Sequence, residues 1–254
     1  MMRTDTTAAA AGSAPADDGA EHNRYQRHYY ETRELPRMTP VRSPYVQQHL
    51  ERVLRLARLD RSQPLLEVGA GLGRYTLPLL EQGFAVTALD LSPVLLERLR
   101  ADAAGHDVRT IACDVADVAE HVDGRFGQAV GFFTLHHLRD LDAAMRALAG
   151  VLTPGARVAF CEPNGFNPLF YAQILLTPGM TWRGDGGVAR MRPRVVLGAM
   201  ERAGFRELGA EPFGLFPRSL RNRPWGGWLE RRFETALPFR WLRAFQVFHG
   251  TLAG

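Results

Sequence analysis

From residue 64 onward, short apolar runs alternate with amphipathic stretches. Runs at 64–68, 84–89, 107–111, 126–132 and 156–161 are rich in Val, Leu, Ile, Ala and Phe and too short for buried helices. Between them, 74–82, 93–103 and 140–150 place leucines and alanines at helical spacing. Alternation of this kind predicts a parallel sheet with right-handed crossovers. FRELGAE (205–211) and AFQVFHGTL (244–252) read as two closing strands. Ahead of the first strand, SPYVQQHLERVLRLARL carries Ser43 as N-cap, Pro44 in the first turn and an apolar stripe of Val46, Leu50, Val53, Leu54 and Ala57, which predicts an amphipathic helix. Ser92-Pro93 announces another helix start in the same way, and Thr153-Pro154-Gly155 predicts a turn leading into the fifth strand. Residues 1–22, rich in Ala, Gly and Asp, read as a disordered tail, with one domain over 23–254. Two segments do not fit the alternation: about 163–192, after the fifth strand, and about 213–243, between the last two strands. They are expected to form a helical cap.

Chemistry gathers where the apolar runs end. LLEVGAGLGRYTLPL (65–79) closes a strand on Glu67 and opens into Gly69, Gly71 and Gly73 before a helix. Glycine is needed where backbone amides must approach a ligand at a helix start, since a Cβ would obstruct the ligand or forbid positive φ. The spacing is G-x-G-x-G, and Arg74 stands where a dinucleotide fingerprint has its last glycine. The second run ends on Asp90, the third on Cys113-Asp114, and the fourth leads into Phe132-Phe133-Thr134-Leu135-His136-His137.

E-x-G-x-G-x-G followed by these strand ends resembles the class I S-adenosylmethionine (SAM)-dependent methyltransferases, over roughly residues 45–212. The resemblance implies a Rossmann-like α/β fold: a seven-stranded mixed sheet in the order 3-2-1-4-5-7-6, the final strand antiparallel, with helices on both faces. It implies SAM as cofactor, held by Glu67, Gly69, Ala70, Gly71, Gly73, Asp90, Leu91, Cys113, Asp114, Val115, Phe132 and Phe133. Asp90 would take the ribose hydroxyls, Asp114 and the Val115 amide the adenine, and the end of the fourth strand would border the methionine moiety. The segment before the amphipathic helix folds over the cofactor in such proteins. Tyr25, Tyr29 and Tyr30, with Tyr171 and Trp182 from the cap, are therefore the candidates for contacting substrate. His136 and Glu162 are the candidates for a general base, imidazole titrating in the right range unperturbed. His137 ranks lower, because adjacent residues rarely face one site together. No metal-binding set is read from the sequence.

Composition narrows the acceptor. The chain has 254 residues, 46% of them apolar, enough for one sizeable core. All 31 basic residues are Arg, which excludes a catalytic lysine or Schiff base. The two cysteines give no disulfide framework and fit a reduced, cytoplasmic setting. Residues 181–254 hold 13 Arg against 6 acids, and 213–243 interleave seven Arg with aromatic residues, a pattern open to three readings: packing of the cap, closure over an apolar or anionic acceptor, or contact with lipid. The Asn/Asp-Pro-Pro-aromatic motif that relatives acting on amino groups of adenine, cytosine or glutamine carry is replaced by Phe132-Phe133-Thr134-Leu135, and no nucleic-acid module accompanies the basic charge. The expected activity is methyl transfer to a small organic acceptor, a specialised metabolite or lipid-like molecule, with O-methylation ahead of C- or N-methylation. Two alternatives stay open: a SAM-binding protein without transfer, and a SAM-fold enzyme of another reaction such as cyclisation.

Overall fold

In a computed structural model of the chain, residues 18–33, 38–176, 180–236 and 239–254 are described. Seven strands form one sheet: β1 (Leu65–Val68), β2 (Val86–Asp90), β3 (Arg109–Ala112), β4 (Phe126–Phe132), β5 (Leu152–Pro163), β6 (Phe205–Phe213) and β7 (Phe245–Leu252). Their order is β3-β2-β1-β4-β5-β7-β6, with β7 antiparallel to both neighbours, as the resemblance implies. Parallel pairing of β1 with β2 and β4, and of β2 with β3, brings Val68, Asp90, Ala112 and Phe132 to the same edge.

Period-two alternation along the strands builds a core on each face. Leu66, Val68, Ala129, Val158, Phe160 and Phe248 face one way, packing with α5 (Leu141–Gly150) and α8 (Pro193–Arg202). Leu65, Val130, Phe132, Ala159, Cys161 and Val247 face the other way, under α2 (Pro44–Ala57) and α3 (Thr76–Glu81). Ser43 and Ser92 cap α2 and α4 (Pro93–Asp102), each side chain accepting from the third residue on, with proline in the first turn.

Two expectations are corrected. Thr153-Pro154-Gly155 does not turn the chain; it lies inside β5, where the pairing with β4 slips between Phe126 and Gln128, and Gly155 has φ +79°. Two steps along β4 match five along β5 here, so three extra residues leave the pairing with β4 inside the strand, an irregularity that a sequence pattern does not distinguish from a turn. Of the expected tail, residues 1–17 lie outside the described residues, while 18–22 belong to a helix, α1 (Asp18–Glu31). The cap segments do contain helices: α6 (Pro168–Leu176) and α7 (Trp182–Asp185) in the first, α9 (Arg218–Arg221) and α10 (Gly226–Ala236) in the second. Two buried asparagines tie the segments together: Asn164 donates to the carbonyls of Arg240 and Arg243, and Asn167 to those of Leu242 and Arg243. Among the described residues, no helix is long and apolar enough to cross a membrane.

Candidate active site

A cavity of about 780 Å³ lies beyond the carboxyl ends of β1–β5, roofed by α1 and the two insertions. That volume is in the upper part of the range for small-molecule sites, about 300–1,000 Å³. Its floor is the glycine loop. Gly69 (φ +72°) and Gly71 (φ +54°) both occupy the left-handed region and line the cavity with Ala70. A Cβ on Gly69 would stand 2.2 Å from Thr134 Oγ1, so this position is closed to any side chain. Gly73 (φ +83°) does not reach the cavity; a Cβ there would stand 2.0 Å from Leu99 Cδ1, and its role is to let the loop pack against α4.

Asp90 and Asp114 stand at adjacent strand ends and line the cavity. Asp90 Oδ2 accepts from the Gly71 amide at 2.8 Å and Oδ1 from the Ser92 amide at 2.9 Å, which ties the glycine loop to β2. Burial raises the Asp90 pKa despite these bonds. Asp114 Oδ1 accepts from Ala116 N at 2.9 Å, capping the 3-10 turn Val115–Glu120, while Oδ2 accepts from the Asn23 amide of α1. Leu91, Cys113, Val115, Phe132 and Phe133 complete this wall. Burial pushes the Cys113 thiol up to about 11, so it is a neutral apolar contact. Phe132 stacks on Tyr75 at 4.0 Å. Phe133 holds φ +58°, a strained state for a residue with a side chain, as the chain leaves β4.

Glu67 stands apart from this wall. It is 2% exposed and outside the cavity lining; Oε2 has no hydrogen-bond partner among the described residues, and burial raises its pKa to about 8. It is a neutral acid beneath the glycine loop at pH 7.

Glu162 is fully buried and also off the cavity, because its carboxylate is turned onto the segment after β4. Oε1 accepts from the Thr134 and Leu135 amides at 2.7 Å each, and Oε2 lies 2.6 Å from His136 Nδ1. The carboxylate sets the Nδ1–H tautomer of His136, whose ring lines the cavity. Burial raises the Glu162 pKa to about 7. Glu162 thus faces away from the cavity and holds the segment after β4 from behind. His137 lines the cavity too, its ring 3.9 Å from that of His136. The expectation that only one of the pair faces the site is corrected: a 3-10 turn over Leu135–His137 carries both rings to the same side.

Of the five aromatic substrate candidates, only Tyr30 lines the cavity, its hydroxyl 2.9 Å from His137 Nε2. Tyr25 reaches Thr181 Oγ1 at 3.3 Å, and Tyr29 is buried between Tyr25 and Tyr30. Tyr171 donates to the Gly165 carbonyl at 2.7 Å and stacks on Trp182, which is half exposed. These four build the lid and stand off its inner surface.

The sequence reading missed Asn23, Gln26 and Arg27 of α1, because the segment lacks a strong apolar stripe and borders the predicted tail. It also missed Tyr45 and Arg74, which line the cavity with Phe216, Arg218 and Phe245. Burial lowers the Arg74 pKa and raises that of Tyr45, so Tyr45 stays protonated. The lid is held by Asn23 on Asp114, Tyr30 on His137, and Ser92 Oγ donating to Glu31 Oε1 at 2.6 Å. No charge pattern announces these contacts in the sequence.

A family model described as a methyltransferase domain matches residues 66–160. An uncharacterised methyltransferase of Mycobacterium tuberculosis is 32% identical over 138 residues, covering 51% of this chain and 70% of the relative. A ubiquinone biosynthesis O-methyltransferase of Xanthomonas euvesicatoria is 34% identical over 132 residues, covering 51% of this chain and 52% of the relative. Among solved structures, a Haemonchus contortus phosphoethanolamine N-methyltransferase, solved with phosphomonomethylethanolamine and S-adenosylhomocysteine, superposes with TM-score 0.57 at 17% identity. That match covers 82% of this chain and 53% of the other.

Proposed function

As the chain belongs to the class I SAM-dependent methyltransferases, we propose that it methylates a hydroxyl of a small, largely apolar organic acceptor. One observation carries this reading: a single cavity joins two chemically different walls. One wall has the glycine loop, Asp90 and Asp114. The other has Phe170, Met180, Phe216 and Phe245, with Asn167, Gln173, Asp185, Tyr45, Arg218 and Ser219 as polar points among them.

The residues present fit the cofactor. Two glycines in the left-handed region leave a floor that side chains would fill, and two carboxylates at neighbouring strand ends suit hydroxyl and amino donors. In this reading Asp90 and Asp114 hold the ribose and adenine, while Ala70, Leu91, Cys113, Val115 and Phe132 enclose the rings. Glu67 and Gly73 support the loop from behind. When bound, SAM supplies a methyl group on a sulfonium, whose departure needs no proton. The chain then has two tasks. Its insertions orient the acceptor, and such alignment is worth on the order of 7–11 kcal/mol. His136, its Nδ1–H directed at Glu162, accepts the acceptor's proton at Nε2, a contribution of roughly 10²–10⁴-fold. The lid helix α1 excludes water.

Calorimetry with S-adenosylhomocysteine, followed by transfer of labelled methyl to a panel of hydroxylated aromatic and lipid-like acceptors, tests the proposal. Cofactor binding with label on an acceptor hydroxyl is expected. Binding without transfer across the panel would favour a SAM-binding protein instead. His136→Ala with near-normal turnover would remove the assigned base.

A further inference from the structure

All four tryptophans of the chain are at least half exposed, and all lie in the two insertions: Trp182 at 53%, Trp225 at 51%, Trp228 at 62% and Trp241 at 50%. Tryptophan is ordinarily among the best-buried residues, so a full set left outside calls for a partner. The helix α10 sharpens this. Its two acids, Glu230 and Glu234, lie one turn apart on the inward face: Glu230 accepts from the Leu215 amide, Glu234 from the Gly214 amide at 2.9 Å and from Arg52 at 2.6 Å. The opposite face, at helical spacing, presents Trp228, Arg231, Arg232 and Thr235, all exposed. The preceding turn adds exposed Leu220, Arg223 and Trp225. Both carboxylates between 213 and 243 are thus turned inward, and the outer face carries Arg, Trp, Leu220 and Thr235 with no acid among them.

We propose that this face of α9 and α10 docks on an anionic lipid surface. Tryptophan rings settle at the boundary between headgroups and acyl chains, and arginines beside them meet lipid phosphates. A single-stranded RNA could stack bases on Trp225 and Trp228, but it would leave the aliphatic Leu220, Leu175 and Leu176 in water. A second copy of the chain would set like charges together with no acid on the face to offset them. Leu215–Ser219, just ahead of the docking face, lines the cavity, and α6 on the other side of the roof leaves Leu175 and Leu176 69% and 80% exposed. Docking therefore brings the cavity-lining segment 215–219 close to the headgroup layer. The proposal stands apart from the transfer reaction, since lipid binding is read with no cofactor present.

The test is flotation of the full-length protein with vesicles of phosphatidylcholine alone or mixed equally with phosphatidylglycerol, at low and high salt. Binding to the mixed vesicles is expected, weakening with salt, together with quenching of tryptophan fluorescence by brominated lipid. Arg231→Gln with Arg232→Gln lowers partitioning roughly thirty-fold, and Trp225→Ser with Trp228→Ser removes the quenching. Unchanged melting temperature would show that these variants fold; if they do not, quenching in the parent protein decides. Failure to float with the mixed vesicles, equal binding to both vesicle types, or no quenching in the parent protein would overturn the proposal. So would folded variants that bind like the parent, tighter retention on single-stranded RNA than on the vesicles, or a dimer in light scattering that these substitutions dissociate.

Discussion

Glu162 holds the segment after β4 by three short bonds from a site with no solvent exposure, which makes it the sharpest place to perturb the protein. Glu162→Ala would strand three buried donors: the Thr134 and Leu135 amides and His136 Nδ1–H. At roughly 1–3 kcal/mol for each unsatisfied group, the loss is about 3–6 kcal/mol even if the gap partly relaxes. That is a large share of the roughly 5–15 kcal/mol that holds a typical domain. Glu162→Gln is more selective. Its oxygen can keep both amides, but its NH2 would meet the Nδ1–H of His136 donor to donor. The ring must move its proton to Nε2, the atom assigned to take the acceptor's proton. At pH 8, above the Glu162 pKa of about 7, the expected loss is about 1–2 kcal/mol in urea unfolding. Nitrogen NMR should show the tautomer change, and methyl transfer should fall by roughly 10²–10⁴-fold with cofactor affinity nearly intact. Glu162→Ala losing less than about 1 kcal/mol, or Glu162→Gln retaining the Nδ1–H tautomer, would refute the argument.

Glu67, with a folded pKa of about 8 against 4.5, keeps its proton in the native state while the unfolded chain loses it. Its contribution is fully present below pH 4.5 and declines as pH rises toward 8, at about 1.4 kcal/mol per unit. Unfolding free energies of the parent and Glu67→Gln should therefore diverge in favour of the variant over that interval; parallel curves would count against a neutral buried Glu67. Gly71→Ala meets only the mobile end of Met38 at 2.9 Å, whereas Gly73→Ala drives into Leu99 at 2.0 Å, and both force a side chain into positive φ. Calorimetry and thermal melts should separate them, Gly71→Ala weakening cofactor binding more than stability and Gly73→Ala costing about 2–4 kcal/mol of stability. Asn23→Ala removes the lid's bond to Asp114. Amide exchange in α1 should accelerate by roughly three- to tenfold, for about 0.5–1.5 kcal/mol, with global stability little changed.

The strands were legible because the information is local or nearly so, and the sheet order followed from the family resemblance that their end motifs carry. Strand ends carry their own punctuation: glycines after Glu67, Ser92-Pro93 after Asp90, and an acid at Asp114. A parallel α/β sheet converts sequential motifs into neighbours along one edge. The two insertions were legible as interruptions, although their contents were not.

What the sequence by itself determined is therefore the frame: which runs become strands, and which edge gathers the glycine loop with Asp90 and Asp114; the cofactor followed from the resemblance those motifs carry. Tertiary structure alone decided which side chains look into the cavity. Glu162 and Glu67 read as site residues but turn away from it, one spent on backbone amides and His136, the other sealed under the loop. Gly73 serves packing, and four of five aromatic candidates serve the lid. Asn23 and Arg74 enter unannounced, because a contact between segments far apart in the chain leaves no periodic trace in either one. Orientation at a wall depends on rotamers and on the neighbour opposite, and those exist only once the layers have closed on one another.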